Sequence, residues 1–141
     1  MWKKPIVRTV IAIALGAIVG ALSRYYLGLG IARVLGTQIP YGTLVINVTG
    51  CFAMGFLATL SLEQVISIHP DVRLLLLTGL LGSYTTFSTY ELDSAKLLEQ
   101  RSLEPDLFYW MGSTILGLVG LQLGIVLAEW LLNHLQRKRD V

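Results

Sequence analysis

Of 141 residues, 54% are apolar and 14% charged, too greasy a balance for a soluble domain, in which about a quarter of residues carry charge. The formal net charge is only +2, and basic residues gather at the chain ends (Lys3, Lys4, Arg8; Arg137, Lys138, Arg139). That pattern suits groups held at a membrane surface and leaves no footprint for nucleic acid; the lone Cys51 excludes a disulfide framework or a thiolate metal cluster.

Four charge-free runs follow along the chain: Thr9 to Ser23, Val34 to Leu62, Leu74 to Tyr90 and Leu107 to Ala128, of 15, 29, 17 and 22 residues. A spanning helix needs about 20 predominantly apolar residues, roughly 17 to 25. The first run is short, but it extends past Arg24 through Tyr25, Tyr26 and Leu27, where a long cationic side chain can snorkel or face a polar cavity. The chain is therefore predicted to be an all-α membrane protein, a single four-span domain over residues 1–141. Basic residues before an apolar run, with Ala21-Leu22-Ser23 behind, loosely resemble a signal peptide. The Arg24-Tyr25-Tyr26 that follows, and three further runs, predict that the first helix stays.

Three linkers are expected: Gly28 to Pro40, Glu63 to Arg73 with Pro70-Asp71, and Asp93 to Asp106 with Pro105, each a solvent loop or an interfacial helix. No internal repeat is present, so any two-fold symmetry must come from a second subunit. With four spans both termini share a side, which holds Lys3, Lys4, Arg8, Arg73, Arg137, Lys138 and Arg139 against Arg24, Arg33, Lys96 and Arg101 on the other. Orientation follows this asymmetry. Such a weak bias leaves open both a fixed orientation, termini cytoplasmic, and dual insertion with antiparallel pairing.

Within the spans, Gly16 and Gly20, and Gly120 and Gly124, form GxxxG pairs. These mark close helix contact or simply reflect how common glycine is in membrane helices. In the second span Thr43 and Asn47, four apart, share a helical face. An amide there needs either an interhelical partner or a polar cavity. In the third, Gly79, Gly82, Thr85, Thr86, Ser88 and Thr89 argue against an uninterrupted helix between about 80 and 86. A broken backbone is tolerated in a membrane only when buried in protein or lining water. Its freed carbonyls can hold a cation; alternatively the glycines only permit tight packing. Phe87 and Tyr90 share a face beyond the break, and two positive ring edges there suit a small anion, although a Phe/Tyr pair is also ordinary packing material.

Taken together, Gly42-Thr43-Leu44-Val45-Ile46-Asn47-Val48-Thr49-Gly50 and Gly82-Ser83-Tyr84-Thr85-Thr86-Phe87-Ser88-Thr89-Tyr90 resemble the signature of the Fluc or CrcB family, the small bacterial fluoride channels. Gly16 to Tyr25 and Tyr109 to Gly117 resemble the family at the corresponding spans. The resemblance implies an antiparallel dimer of four-span subunits with a broken third helix, in the bacterial inner membrane, passing fluoride passively out of the cell. It implies a pore lined by Thr43, Asn47, Phe87, Tyr90, Thr89, Tyr109 and Ser113, and a vestibule arginine at Arg24. It also implies a structural sodium ion at the dimer interface, held by backbone carbonyls of Gly82 and Thr85. The chain departs from the family pattern at Tyr90 (phenylalanine), Asp93 (glutamate) and Gly117 (serine).

The physical chemistry fits. Fluoride is small and strongly hydrated, so a selective path must replace its water with closely spaced neutral donors while binding weakly enough to release it. Two rival readings are a small proton-coupled multidrug exporter and a non-transporting membrane subunit. The exporter asks for an embedded carboxylate in the first span, which has none, and the subunit would not need a hydroxyl and aromatic track. His69, beside Pro70 and without a nucleophile or metal-ligand partner at a recognisable spacing, gives no basis for an enzyme.

Overall fold

The computed structural model describes residues 5–62, 68–100 and 103–139; Lys3, Lys4, Arg101 and residues 63–67 of the second linker lie outside the described residues. All regular structure among the described residues is helical. α1 (Pro5–Leu35) and α2 (Tyr41–Leu62) are followed by the short α3 (Pro70–Arg73), which leads directly into a π-helical segment, Leu74–Leu81, and the three-residue α4 (Gly82–Tyr84). α5 (Phe87–Gln100) and α6 (Leu103–Arg139) complete the chain.

Two of the expected linkers are shorter than the residue types suggested. Gly28 and Gly30 do not end α1, which runs to Leu35 and stops where Gly36 takes a φ of +80°, a left-handed conformation open to glycine at no steric cost. Gly28 is helical and lies where α2 comes close: a Cβ on Gly42 would lie 3.3 Å from the Gly28 Cα and carbonyl oxygen. The third linker is mostly helix, since α5 continues past Asp93 to Gln100. One face of α5 is buried there, with Tyr90 and Leu97 clustering with Tyr109 of α6 and the Ser94 hydroxyl donating to the Asp106 carboxylate.

The helices associate as two tight pairs, and glycines make both possible. Along α2 and α6, a Cβ on Gly55 would run into the Leu121 carbonyl oxygen, and one on Gly124 into that of Phe52. Along α1 and the π-helical segment, Gly16 and Gly20 face the carbonyls of Leu75 and Leu80, and Gly79 faces the backbone of Ile13 and Gly16. Both GxxxG pairs are thus contact surfaces, where backbones approach without side chains between them. At the start of the second pair, Asp71 of α3 is ion-paired with Arg8 of α1, and its N–H donates to Nδ1 of His69 at 3.1 Å, capping α3.

Three described helices are long and apolar enough to cross a membrane: Ile6–Leu35, Tyr41–Leu62 and Asp106–Arg137. Their apolar windows are only 11%, 22% and 28% buried within the chain. Most of their surface therefore faces outward, as in a multi-pass membrane protein whose solvent is lipid.

Candidate functional site at the break between α4 and α5

Helix ends at Tyr84 and resumes at Phe87, and the two residues between them organise the site. Thr85 is extended (φ −78°, ψ 157°), so the Thr86 N–H no longer points at the carbonyl of Gly82. Asn47, reaching from α2, takes over. Its Oδ1 accepts from the Thr86 N–H at 2.9 Å and its Nδ2 donates to the Thr86 carbonyl at 3.0 Å. An amide carries one acceptor and two donors, so this two-point pairing fixes its orientation and leaves one N–H free. Thr86 also caps α5, its Oγ1 accepting from the Thr89 N–H at 3.3 Å, the role that threonine fills at helix N-termini. Both backbone groups of the buried Thr86 are thereby satisfied.

Thr86 stands in the walls of two cavities. The outer, of about 630 Å³, is lined by Arg24, Thr43, Thr86, Thr89 and Asp93 among others. The inner, of about 430 Å³, is lined by Asn47, Cys51, Met54, Thr85, Thr86, Phe87, Tyr90, Ser113, Thr114 and Gly117 among others. Helical spacing brings these together: Thr43, Asn47 and Cys51 follow one stripe of α2, and Tyr109, Ser113 and Gly117 one stripe of α6.

Most of the expected site residues line one or other of these cavities, and Tyr109 and Gly82 line neither. Arg24 and Thr89 line the outer cavity, as does Thr43, whose hydroxyl donates to the Asp93 carboxylate at 2.6 Å rather than standing free. Tyr109 is 5% exposed, and its buried hydroxyl has no hydrogen-bond partner among the described residues. Ser113, one turn further along α6, likewise has a buried hydroxyl with no hydrogen-bond partner among the described residues. Phe87 is 73% exposed, its ring centroid 5.9 Å from that of Tyr90, which in turn sits 5.5 Å from that of Tyr109. Gly82 lies on the exposed surface of α4, and Thr85 is half-buried below it.

Thr86 was not among the expected pore residues, although it lines both cavities. Its signal is local: a threonine immediately before Phe87-Ser88-Thr89, at the start of a helix, is an N-cap pattern.

Tyr90 is buried, and its hydroxyl donates to the Trp110 carbonyl at 2.9 Å. The phenol therefore ties α5 to α6 instead of extending the donor track, while the residue still lines the inner cavity. Tyr90→Phe is expected to preserve anion flux and to lower stability by about 1 kcal/mol, the net worth of one hydrogen bond. Parallel flux and thermal-unfolding measurements check this, and loss of flux would make the hydroxyl essential.

Residues 11–125 match the family model described as CrcB-like protein, Camphor Resistance (CrcB). A curated protein of Trichormus variabilis named Fluoride-specific ion channel FluC is 57% identical over 129 residues, covering 92% of this chain and 94% of the relative. Proteins of the same name from a Synechococcus species and from a Synechocystis species are 51% and 44% identical, covering 89% and 86% of this chain and 95% and 93% of their own lengths. With the model spanning most of the chain and such relatives matching nearly end to end, the chain belongs to the CrcB family.

Proposed function

We propose that this protein is a passive, fluoride-selective channel that lets fluoride leave the bacterial cell across the inner membrane. The observation that carries the reading is the buried hydroxyl of Ser113, on the wall of the inner cavity beside the helix break and without a hydrogen-bond partner among the described residues, with the equally unpartnered hydroxyl of Tyr109 one turn before it on α6. A buried O–H donor without an acceptor costs about 1–3 kcal/mol. A small, strongly accepting anion removes that cost in passing. The free N–H of Asn47 and the ring edges of Phe87 and Tyr90 continue the same neutral lining, and the names of the FluC relatives supply the ion.

Neutral donors suit conduction, because a fixed cation deep in the path would trap the ion. Arg24, in the outer cavity, raises the local anion concentration at the mouth instead. The free-energy source is the membrane potential, worth about 2.3 kcal/mol per elementary charge per 100 mV. Hydrogen fluoride enters neutral and dissociates inside, and a negative interior drives the anion out.

In this reading residues 74–90 form the third of four spans, a discontinuous one, and two copies pair antiparallel. The hydroxyls of Thr49 and Tyr84 pair at 2.9 Å on an exposed part of α2 near the break. A lipid-facing surface does not favour such groups at membrane depth, and a second copy covers them. The near-balanced distribution of Lys and Arg permits insertion both ways round.

The same break fits a sodium ion. The Gly82 carbonyl loses its helical donor because the Thr86 N–H turns to Asn47, and the Thr85 carbonyl loses its own because the Thr89 N–H turns to Thr86 Oγ1. Two such carbonyls from each of two subunits make a set of hard oxygen ligands, and the ion they hold supplies positive charge that joins the subunits. Carboxyl-terminal reporters should reveal both orientations, and a parallel pair would refute the arrangement.

Liposomes loaded with fluoride and containing the purified protein should release it without a proton gradient and retain chloride. Equal permeability to both halides would overturn the selectivity. Strict dependence on a pH gradient would point instead to proton coupling, for which Asp93 in the outer cavity is the available carboxylate.

A further inference from the structure

The three residues of α4 hang between a π-helical segment and a backbone break, yet they carry Gly82 and lead into Thr85. They are the last turn of the helical run that begins at Pro70, where carbonyls are left without intrahelical donors at the break. Two side chains hold this turn, one on each flank. On the α1 side, Ser83 Oγ lies 2.9 Å from the carbonyl oxygen of Ala17 and 2.8 Å from that of Gly79, so one hydroxyl bridges α1 and the preceding turn. On the α2 side, the Tyr84 hydroxyl meets Thr49 Oγ1 at 2.9 Å. The Thr49 proton is already given to the Val45 carbonyl at 2.7 Å, so the phenol is the donor.

Each neighbouring helix has a glycine where this clamp needs room. A Cβ on Gly20 would run into Ser83 Oγ, and one on Gly50 would run into Thr85 Cγ2 and stand 3.2 Å from the Tyr84 ring. The residues therefore match on both sides: a hydroxyl-bearing side chain on α4 and an open backbone position opposite it.

We propose that Ser83 and Tyr84 are positioning residues for the cation site, holding α4 between α1 and α2 so that the carbonyls of Gly82 and Thr85 keep the separation and direction a sodium ion requires. The inference rests on the sodium reading given above. Neither side chain touches the ion; each sets the angle of backbone groups that would. Loss of both hydroxyls leaves the ligand oxygens in place but loosely aimed, which weakens the site without removing it.

Thermal unfolding of the purified full-length protein, followed as sodium chloride replaces choline chloride at constant ionic strength, tests this. The wild type should be stabilised saturably by sodium. The Ser83→Ala/Tyr84→Phe double variant should need about tenfold more sodium for half the effect, the factor that corresponds to roughly one hydrogen bond. At saturating sodium its fluoride efflux from liposomes should equal the wild type's, and Ser83→Thr, which keeps a hydroxyl, should titrate as the wild type does. If the double variant does not fold, the single Tyr84→Phe change, which removes one oxygen atom, must show a shift in the same direction. A wild type indifferent to sodium would overturn the cation reading and the clamp with it. A sodium-responsive wild type with variants of unchanged midpoint would overturn the clamp alone.

Discussion

Phe87→Ile should abolish most fluoride flux while leaving the protein folded. Phe87 is 73% exposed in the single chain and lines the inner cavity beside Tyr90, so its ring contributes little to the fold and a great deal to the surface an ion meets. An aromatic ring presents a positive edge; isoleucine has similar bulk and no such edge. A partly dehydrated anion at this point would lose one of its few favourable contacts in a low-dielectric setting, where that contact counts most. A barrier higher by only about 1.4 kcal/mol slows passage tenfold, so flux should fall by at least about tenfold. Efflux from liposomes measures it, with size-exclusion behaviour as the control for folding. Wild-type flux in Phe87→Ile would remove the ring from the mechanism.

Asn47→Leu should be damaging in a different way, because it acts on both structure and flux. The amide satisfies the N–H and the carbonyl of Thr86 together, and Thr86 is 9% exposed. Leucine leaves both groups without partners, at about 1–3 kcal/mol each, for a total of about 2–6 kcal/mol. The break would then close towards helix or slide, carrying Phe87 and the α5 N-terminus with it, and flux should disappear. Asn47→Asp separates the two effects. Its carboxylate still accepts from the Thr86 N–H, but an anionic oxygen replaces the donor beside the Thr86 carbonyl and sets a negative charge in an anion's path. It should therefore fold better than Asn47→Leu and conduct no better. Unfolding temperature and efflux measured on both variants decide the matter; an Asn47→Leu protein with normal stability and flux would show that Asn47 does not hold the break.

The sequence by itself determined the helical membrane character, because charge-free runs of 15 to 29 residues cannot be housed in water and must satisfy their backbone internally. It also singled out the stretch of glycines and hydroxyls between about 80 and 86, within which the non-helical Thr85 and Thr86 fall. Residue composition carries that information locally, since glycine and threonine favour helix ends wherever they stand. What it left undetermined was how the polar groups are allocated. Thr43 is 50 residues from Asp93, Asn47 is 39 from Thr86, and Tyr84 is 35 from Thr49, so no spacing rule connects them. Only the packing of α2 against α5 and α6 decided that Thr43 is occupied by a carboxylate, that Asn47 is paired with the backbone of the break, and that the Tyr90 hydroxyl belongs to Trp110. The hydroxyls of Tyr109 and Ser113 were left over by the same process. A hydrogen bond is a short-range and saturable interaction, and which donors remain for a passing ion is settled only when every neighbour has taken its share.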